Sequence, residues 1–125
     1  MILSVGRPNI KLCEVYDRKE AIREACLYLQ YNNLTREAIT IEPSVEKEQN
    51  GSPVKYKRIV FSSLYPYGYV NVISFYLYEI GTPEYQTPEE FRKFIIRQKH
   101  VWDMDMLLQD AQYAENYLKH KGDNK

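Results

Sequence analysis

The chain has 125 residues, 44% of them hydrophobic and 27% charged, with 17 Lys plus Arg balanced by 17 Asp plus Glu. That length and composition suit one folded domain burying its own core, and they exclude wholesale disorder. Zero net charge excludes a global field drawing the chain to nucleic acid or to a membrane surface. No apolar run approaches the ~20 residues of a membrane span, and no basic-then-apolar leader opens the sequence. The expectation is a cytoplasmic protein without membrane contact, residues 1–125 forming a single α+β domain with 120–125 as a disordered tail.

The two cysteines cannot specify a zinc site. Cys13 falls on an expected strand and Cys26 on the expected buried face of a helix, where cysteine serves as a small hydrophobe. Tyrosine is over-used, with 12 residues against 4 Phe and 1 Trp. A large apolar body with a polar tip suits half-wet surfaces and interfaces.

In chain order, Arg7-Pro8-Asn9 makes a turn and Ile10 to Tyr16 reads as a strand. Asp17 followed by Glu20 resembles a capping box. Ala21, Ile22, Ala25, Cys26 and Leu29 then share one arc of a helix running to about Tyr31, with Asn32-Asn33 at its exit. From Ala38 the period changes to two, with Ile39 and Ile41 on one face, until Pro43 and the polar Glu46 to Gln49 stretch form a loop. Asn50-Gly51 is the strongest turn signal in the chain, and Val54 to Phe61 resumes as the second strand of a hairpin. After the Tyr65-Pro66-Tyr67-Gly68 turn, Tyr69 to Ile80 is apolar on both faces and reads as a central strand.

Thr87-Pro88-Glu89-Glu90 combines an N-cap, a proline at the first helical position and a capping glutamate. Phe91, Phe94, Ile95, Gln98, Val101 and Trp102 form one helical face, whereas Met104, Leu107, Leu108, Ala111, Ala114 and Leu118 form another about 140° away. One straight helix cannot bury both, so a break is expected at His100 to Asp103. The resulting order, strand, helix, three strands, two helices, predicts a three- to four-stranded, mainly antiparallel sheet packed against about three helices.

Chemistry-bearing constellations are sparse. His100 with Asp103 and Asp105 is the sole His–carboxylate cluster, and its spacing does not place three ligands on one helical face; no metal and no cofactor are expected. Neither cysteine has a local base and orienting acid, and no glycine-rich phosphate loop occurs. No catalytic residue is assigned and the chain is expected not to be an enzyme.

Two binding readings remain. In the first, Ile96 projects among the basic residues Arg92, Lys93, Arg97 and Lys99, while Met106, Tyr113 and Tyr117 form a second apolar stripe on the last helix, flanked by Asp110. These four apolar residues are the expected contacts of a protein partner or of a second copy of the chain. The function expected is that of a non-enzymatic adaptor or inhibitor acting through protein–protein contact, a class that includes inhibitors carried by phages and mobile elements. The second reading is a single-stranded nucleic-acid platform built from Lys55, Lys57 and Arg58 beside Tyr65, Tyr67 and Tyr69. The stretch from Tyr65 to Val72 partly resembles the aromatic strand motif of RNA-recognition domains, at Tyr67, Gly68, Tyr69 and Val70. It departs from that motif at its basic residue, its first glycine and its last aromatic.

Overall fold

The computed structural model describes residues 1–6, 10–64, 70–83, 87–98 and 104–123. Strands β1 (Ile2–Val5) and β2 (Ile10–Glu14) precede helix α1 (Arg18–Tyr31). Strands β3 (Ala38–Ile41), β4 (Val45–Gln49), β5 (Ser52–Leu64) and β6 (Val70–Ile80) follow, and α2 (Pro88–Arg97) and α3 (Met104–Asp123) complete the order. One antiparallel sheet runs β2-β1-β6-β5-β3, with β4 also paired to β5. This is the expected α+β class, with two more strands than the sequence reading assigned.

Both missed strands have a physical reason for their silence. In β1, Leu3 and Val5 face the helices while Ser4 is buried on the opposite face with its Oγ donating to Tyr76 O at 3.4 Å. A strand covered on both sides does not alternate. β4 is the opposite case, an edge strand whose Glu46, Lys47 and Glu48 are exposed. It is held by backbone pairing to β5 and by the Asn50-Gly51 turn, whose residues adopt φ of 52° and 80°. Charged residues on an edge are what keeps it from pairing with another chain. β3 and β4 therefore share one side of β5, and the chain steps out between them at Glu42-Pro43-Ser44, with Glu42 N bonded to Arg58 O at 2.9 Å.

β6 lies between β1 and β5. Its Phe75 and Leu77 join the main core with Leu3, Val5, Ile59 and Phe61 beneath the helices. Tyr76 and Tyr78 form a second cluster on the other face with Val54, and Ile2 and Tyr56 pack against it. Both faces are thus buried in the middle of β6, but not at Val72 and Ile80, which are 45% and 52% exposed.

α1 begins with a variant of the capping box: Asp17 accepts from Glu20 N and Glu20 accepts from Tyr16 N, one residue before the cap, each at 2.8 Å. Its buried face is Ala21, Glu24, Ala25, Tyr28 and Leu29. Cys26 is exposed, not buried as expected, because the face centres on Tyr28 and Ala25 and position 26 turns away from it. α2 starts at the expected cap, Thr87 accepting from Glu90 N at 3.1 Å, and buries Phe91 and Ile95. α2 ends at Arg97 and α3 begins at Met104, so they are separate helices, and the expected break at His100 to Asp103 lies outside the described residues.

α3 is rotated from the expected docking. Ala111, Ala114 and Tyr117 are fully buried, whereas Leu118, expected in the buried stripe, is 37% exposed. Two alanines let the helix approach closely, and the Tyr117 hydroxyl finds a partner at depth by donating to Glu24 Oε2 at 2.6 Å. The helix runs to Asp123, with His120 stacked on Tyr31 and Lys121 bonded to Glu24, and residues 124–125 of the expected tail lie outside the described residues.

Candidate functional site

β1 ends at Val5, the N–H of the following Gly6 bonds to Ser74 O at 3.3 Å, and β6 continues past them. The space so left is closed by α1, by the segment after α1 and by the middle of α3, forming a cleft of about 580 Å³. Val5, Leu34 and Ile73 supply its apolar wall, Tyr28 and Tyr113 its aromatic one. Gln109 and Asp110 enter from α3, and Arg36 and Arg58 from the other side. Asp110 and Tyr113 are three residues apart and share one helical face.

The walls are clamped rather than merely adjacent. Asn32 Nδ2 donates to Tyr28 O at 3.0 Å and to Tyr113 O at 3.1 Å, tying the end of α1 to α3 beside the cleft. Asn116 Nδ2 returns the connection, to Tyr31 O at 2.9 Å and to Asn32 Oδ1 at 3.0 Å. Asn33 takes a left-handed φ of 55°, which turns the chain back so that Leu34 N reaches Leu29 O. Asparagine tolerates that conformation better than most residues.

Asp110 is the electrostatic singularity of the cleft. Burial pushes its carboxyl up to about 6, and no cation among the described residues offsets it. Among the described residues it has no hydrogen-bond or ion-pair partner. Every other buried or half-buried carboxylate described has one: Glu20 with the cap of α1, Glu24 with Tyr117 and Lys121, Glu42 with Arg58, Glu79 with Lys55, Lys57 and Ser44, and Glu115 with Arg92. The phenol of Tyr28 is shifted upward, first by burial and then by the nearby Asp110 and Tyr113. Arg58 is neutralised by Glu42 at 3.3 Å and donates to Ser74 Oγ at 2.9 Å. Arg36 donates through Nη1 to the Leu34 and Thr35 carbonyls, and its Nε is buried without a partner.

The residues singled out from sequence scatter over different surfaces. Tyr113 lines the cleft. Tyr117 does not belong to an exposed stripe: it is wholly buried between α1 and the sheet, which removes it as a partner contact. The side chain of Met106 lies outside the described part of the structure. Ile96 is 68% exposed on α2 and is not part of the cleft lining.

The basic residues of β5 do not form one face. Lys57 stands opposite Leu77 and Arg58 opposite Tyr76, on the two sides of the sheet. Lys55 and Lys57 both pair with Glu79, at 3.5 and 3.1 Å. Burial alone would raise the Glu79 carboxyl, but the lysines and Ser44 outweigh it and hold it below the usual range. Tyr65, Tyr67 and Tyr69 lie outside the described residues. The tyrosines gathered on the sheet are instead Tyr56, Tyr76 and Tyr78, with ring centroids 5.3 and 5.7 Å apart about Tyr56 and Lys47 placed over that ring.

Of the expected non-ligands, His100 and Asp103 lie outside the described residues, as does the side chain of Asp105. No group of His, Cys, Asp and Glu suited to a metal occurs among the described residues. Cys13 is half-buried near Tyr117 and Glu24, and burial pushes its thiol up, away from a reactive thiolate. No helix is long and apolar enough to cross a membrane among the described residues. No protein-family model, no curated protein and no solved structure matches this chain.

Sequence reasoning missed Tyr28, Arg36 and Asp110 as site residues. The three-residue spacing of Asp110 and Tyr113 was the available signal. What it lacked was the packing of α1, which supplies the opposite wall and the desolvation.

Proposed function

We propose that this chain is a non-enzymatic protein-binding module whose recognition site is the cleft between α1, α3 and the end of the sheet. The observation that carries this reading is Asp110, a desolvated carboxylate without a partner among the described residues, in a ligand-sized, largely apolar recess. Clefts of several hundred cubic ångströms with few convergent polar groups are the usual form of a binding site. A perturbed carboxylate inside one marks function more often than chance. A protein is favoured over a small molecule because the recess continues into exposed surface at Val72 and because tyrosine, here the half-buried Tyr113, is over-represented at interface anchors. The partner is another protein or a second copy of this chain, and it acts as an adaptor or inhibitor acts, by occupancy.

The test is affinity capture from the native host with wild-type protein and with Tyr113→Ala, read by mass spectrometry, alongside sedimentation of both purified proteins. The reading requires a partner, or a self-associated form, that the wild type holds and the variant loses. Identical capture profiles and identical oligomeric states would overturn it. Single-stranded nucleic acid is the competing reading, and the salt-bridged state of Lys55, Lys57 and Arg58 counts against it.

A further inference from the structure

We infer that the guest of the cleft is a single cationic side chain, lysine or arginine, contributed by the protein partner. The inference rests on the reading of the cleft as a protein-binding surface and goes beyond it in naming the chemistry received.

Three features converge on that guest. The first is charge complementarity: Asp110 alone among the described buried and half-buried carboxylates lacks a donor, and burying such a group without one is costly. Above the pH at which the carboxyl holds its own proton, a donor supplied by a ligand removes that cost, and a cation supplies the most. The second is the phenol ring of Tyr113, half-buried in the cleft wall and on the same helical face as Asp110. A ring face attracts a positive charge, and a carboxylate beside an aromatic ring is a site for an ammonium or guanidinium head. The third is the apolar wall of Val5, Leu34 and Ile73, which suits the methylene stem that lysine and arginine carry behind their charged heads.

The same cleft argues against other guests. A hard metal ion needs several oxygen ligands, and Asp110 is the cleft's sole carboxylate among the described residues. A polybasic segment meets Arg36, which keeps its positive charge bound to backbone carbonyls, so a second cation entering beside the first is repelled. Arg58 adds no further repulsion, being neutralised by Glu42.

The experiment uses the full chain labelled with ¹⁵N and three blocked tripeptides that differ only at the centre: Ala-Lys-Ala, Ala-Arg-Ala, and the norleucine analogue, which keeps a linear hydrocarbon stem but has no charge. The amides of Val5, Leu34, Ile73, Gln109 and Tyr113 report on the cleft. Lysine or arginine peptide should shift these resonances saturably, and the norleucine peptide or the Asp110→Asn protein should bind at least about tenfold more weakly, the value of one charge-assisted hydrogen bond. Equal binding of the norleucine peptide, or undiminished lysine binding by Asp110→Asn, overturns the cationic guest while leaving the cleft a binding site. Absence of binding by any peptide also overturns it. The broader reading fails separately, when Tyr113→Ala leaves the captured partners and oligomeric state unchanged.

Discussion

The Tyr117 hydroxyl donates a 2.6 Å hydrogen bond to Glu24 Oε2, joining the middle of α1 to the end of α3, and Lys121 Nζ completes the arrangement at 2.9 Å from Oε1. Burial by itself would raise the Glu24 carboxyl, but the phenol and the ammonium outweigh it and leave it below the usual carboxylate range. The interaction is closed on itself, with donors and acceptor matched, and so it holds the helices rather than awaiting a ligand. Tyr117→Phe should lower stability by about 1–3 kcal/mol, the cost of stripping a hydrogen bond from a buried charge. Because the folded pKa of Glu24 is depressed, its contribution is present above the unfolded carboxylate pKa and is lost as pH falls through the folded one. Urea unfolding of wild type and variant at neutral pH and in acid should therefore show a gap that narrows in acid; an undiminished midpoint for the variant at neutral pH would contradict the role.

Asp110 has the opposite sign. Its folded pKa of about 6 lies above the ordinary value near 4, so between those two pH values the folded protein holds a proton that the unfolded chain has released. Stability from this residue falls as pH rises through that window and stays low above it. Asp110→Asn removes the penalty. The variant should melt higher than wild type at pH 7.5 and at about the same temperature at pH 4. A lower melting temperature at pH 7.5 would mean that the carboxylate has a stabilising partner after all. A residue that costs stability where it stands is the kind retained for binding.

The ion pairs of β5 bear on nucleic acid. Counterion release requires cations free to neutralise phosphate, and Lys55, Lys57 and Arg58 are already engaged. The purified protein should show no salt-sensitive affinity for a single-stranded oligonucleotide by fluorescence anisotropy. A binding constant that falls steeply as salt is added would restore the sheet as a platform.

Gly81 closes the end of β6 with φ of 86°, and a Cβ placed there would lie 2.5 Å from Val54 Cγ1. Backbone strain and a clash with the second hydrophobic cluster act together, so Gly81→Ala should cost about 1–3 kcal/mol in thermal unfolding. An unchanged melting temperature would show that the turn relaxes freely.

Legibility followed the nature of each signal. The caps at Asp17 and Thr87, the Asn50-Gly51 turn and the phase change between Phe91 and Met104 are local, and each appears in the fold where its residues stand. β1 was invisible because both of its faces are covered, and β4 because it is held by its backbone. The stripe of Met106, Tyr113 and Tyr117 failed at Tyr117 because amphipathic phase could not reveal Glu24 waiting on α1 to satisfy the phenol. Asp110 reads as a solvated flank in sequence and becomes a desolvated carboxylate only when Tyr28 and the end of β1 close around it. Local chemistry was readable; a site assembled from three elements was not.

The placement of β1 beside β6 sets the order in which the molecule can assemble. Ile2 faces Tyr78 across more than half of the chain, whereas β3, β4, β5 and β6 meet neighbours close in sequence. Closing the long loop carries an entropic charge that grows with its length, and distant pairings slow folding. The meander from β3 to β6 is thus positioned to form early, and the β1–β2 hairpin to dock onto it late. Interactions made after the barrier govern how fast a protein comes apart rather than how fast it forms. Leu3→Ala, in the late-docking strand, should accelerate unfolding in stopped-flow measurements and leave the refolding limb nearly unchanged, whereas Ile59→Ala on β5 should slow refolding; the reverse pattern would place the nucleus at the N-terminal hairpin. During synthesis the same geometry leaves Leu3, Val5 and Ile10 without their β6 and α3 neighbours until most of the chain has been made, an interval in which these residues are a natural target for chaperone capture.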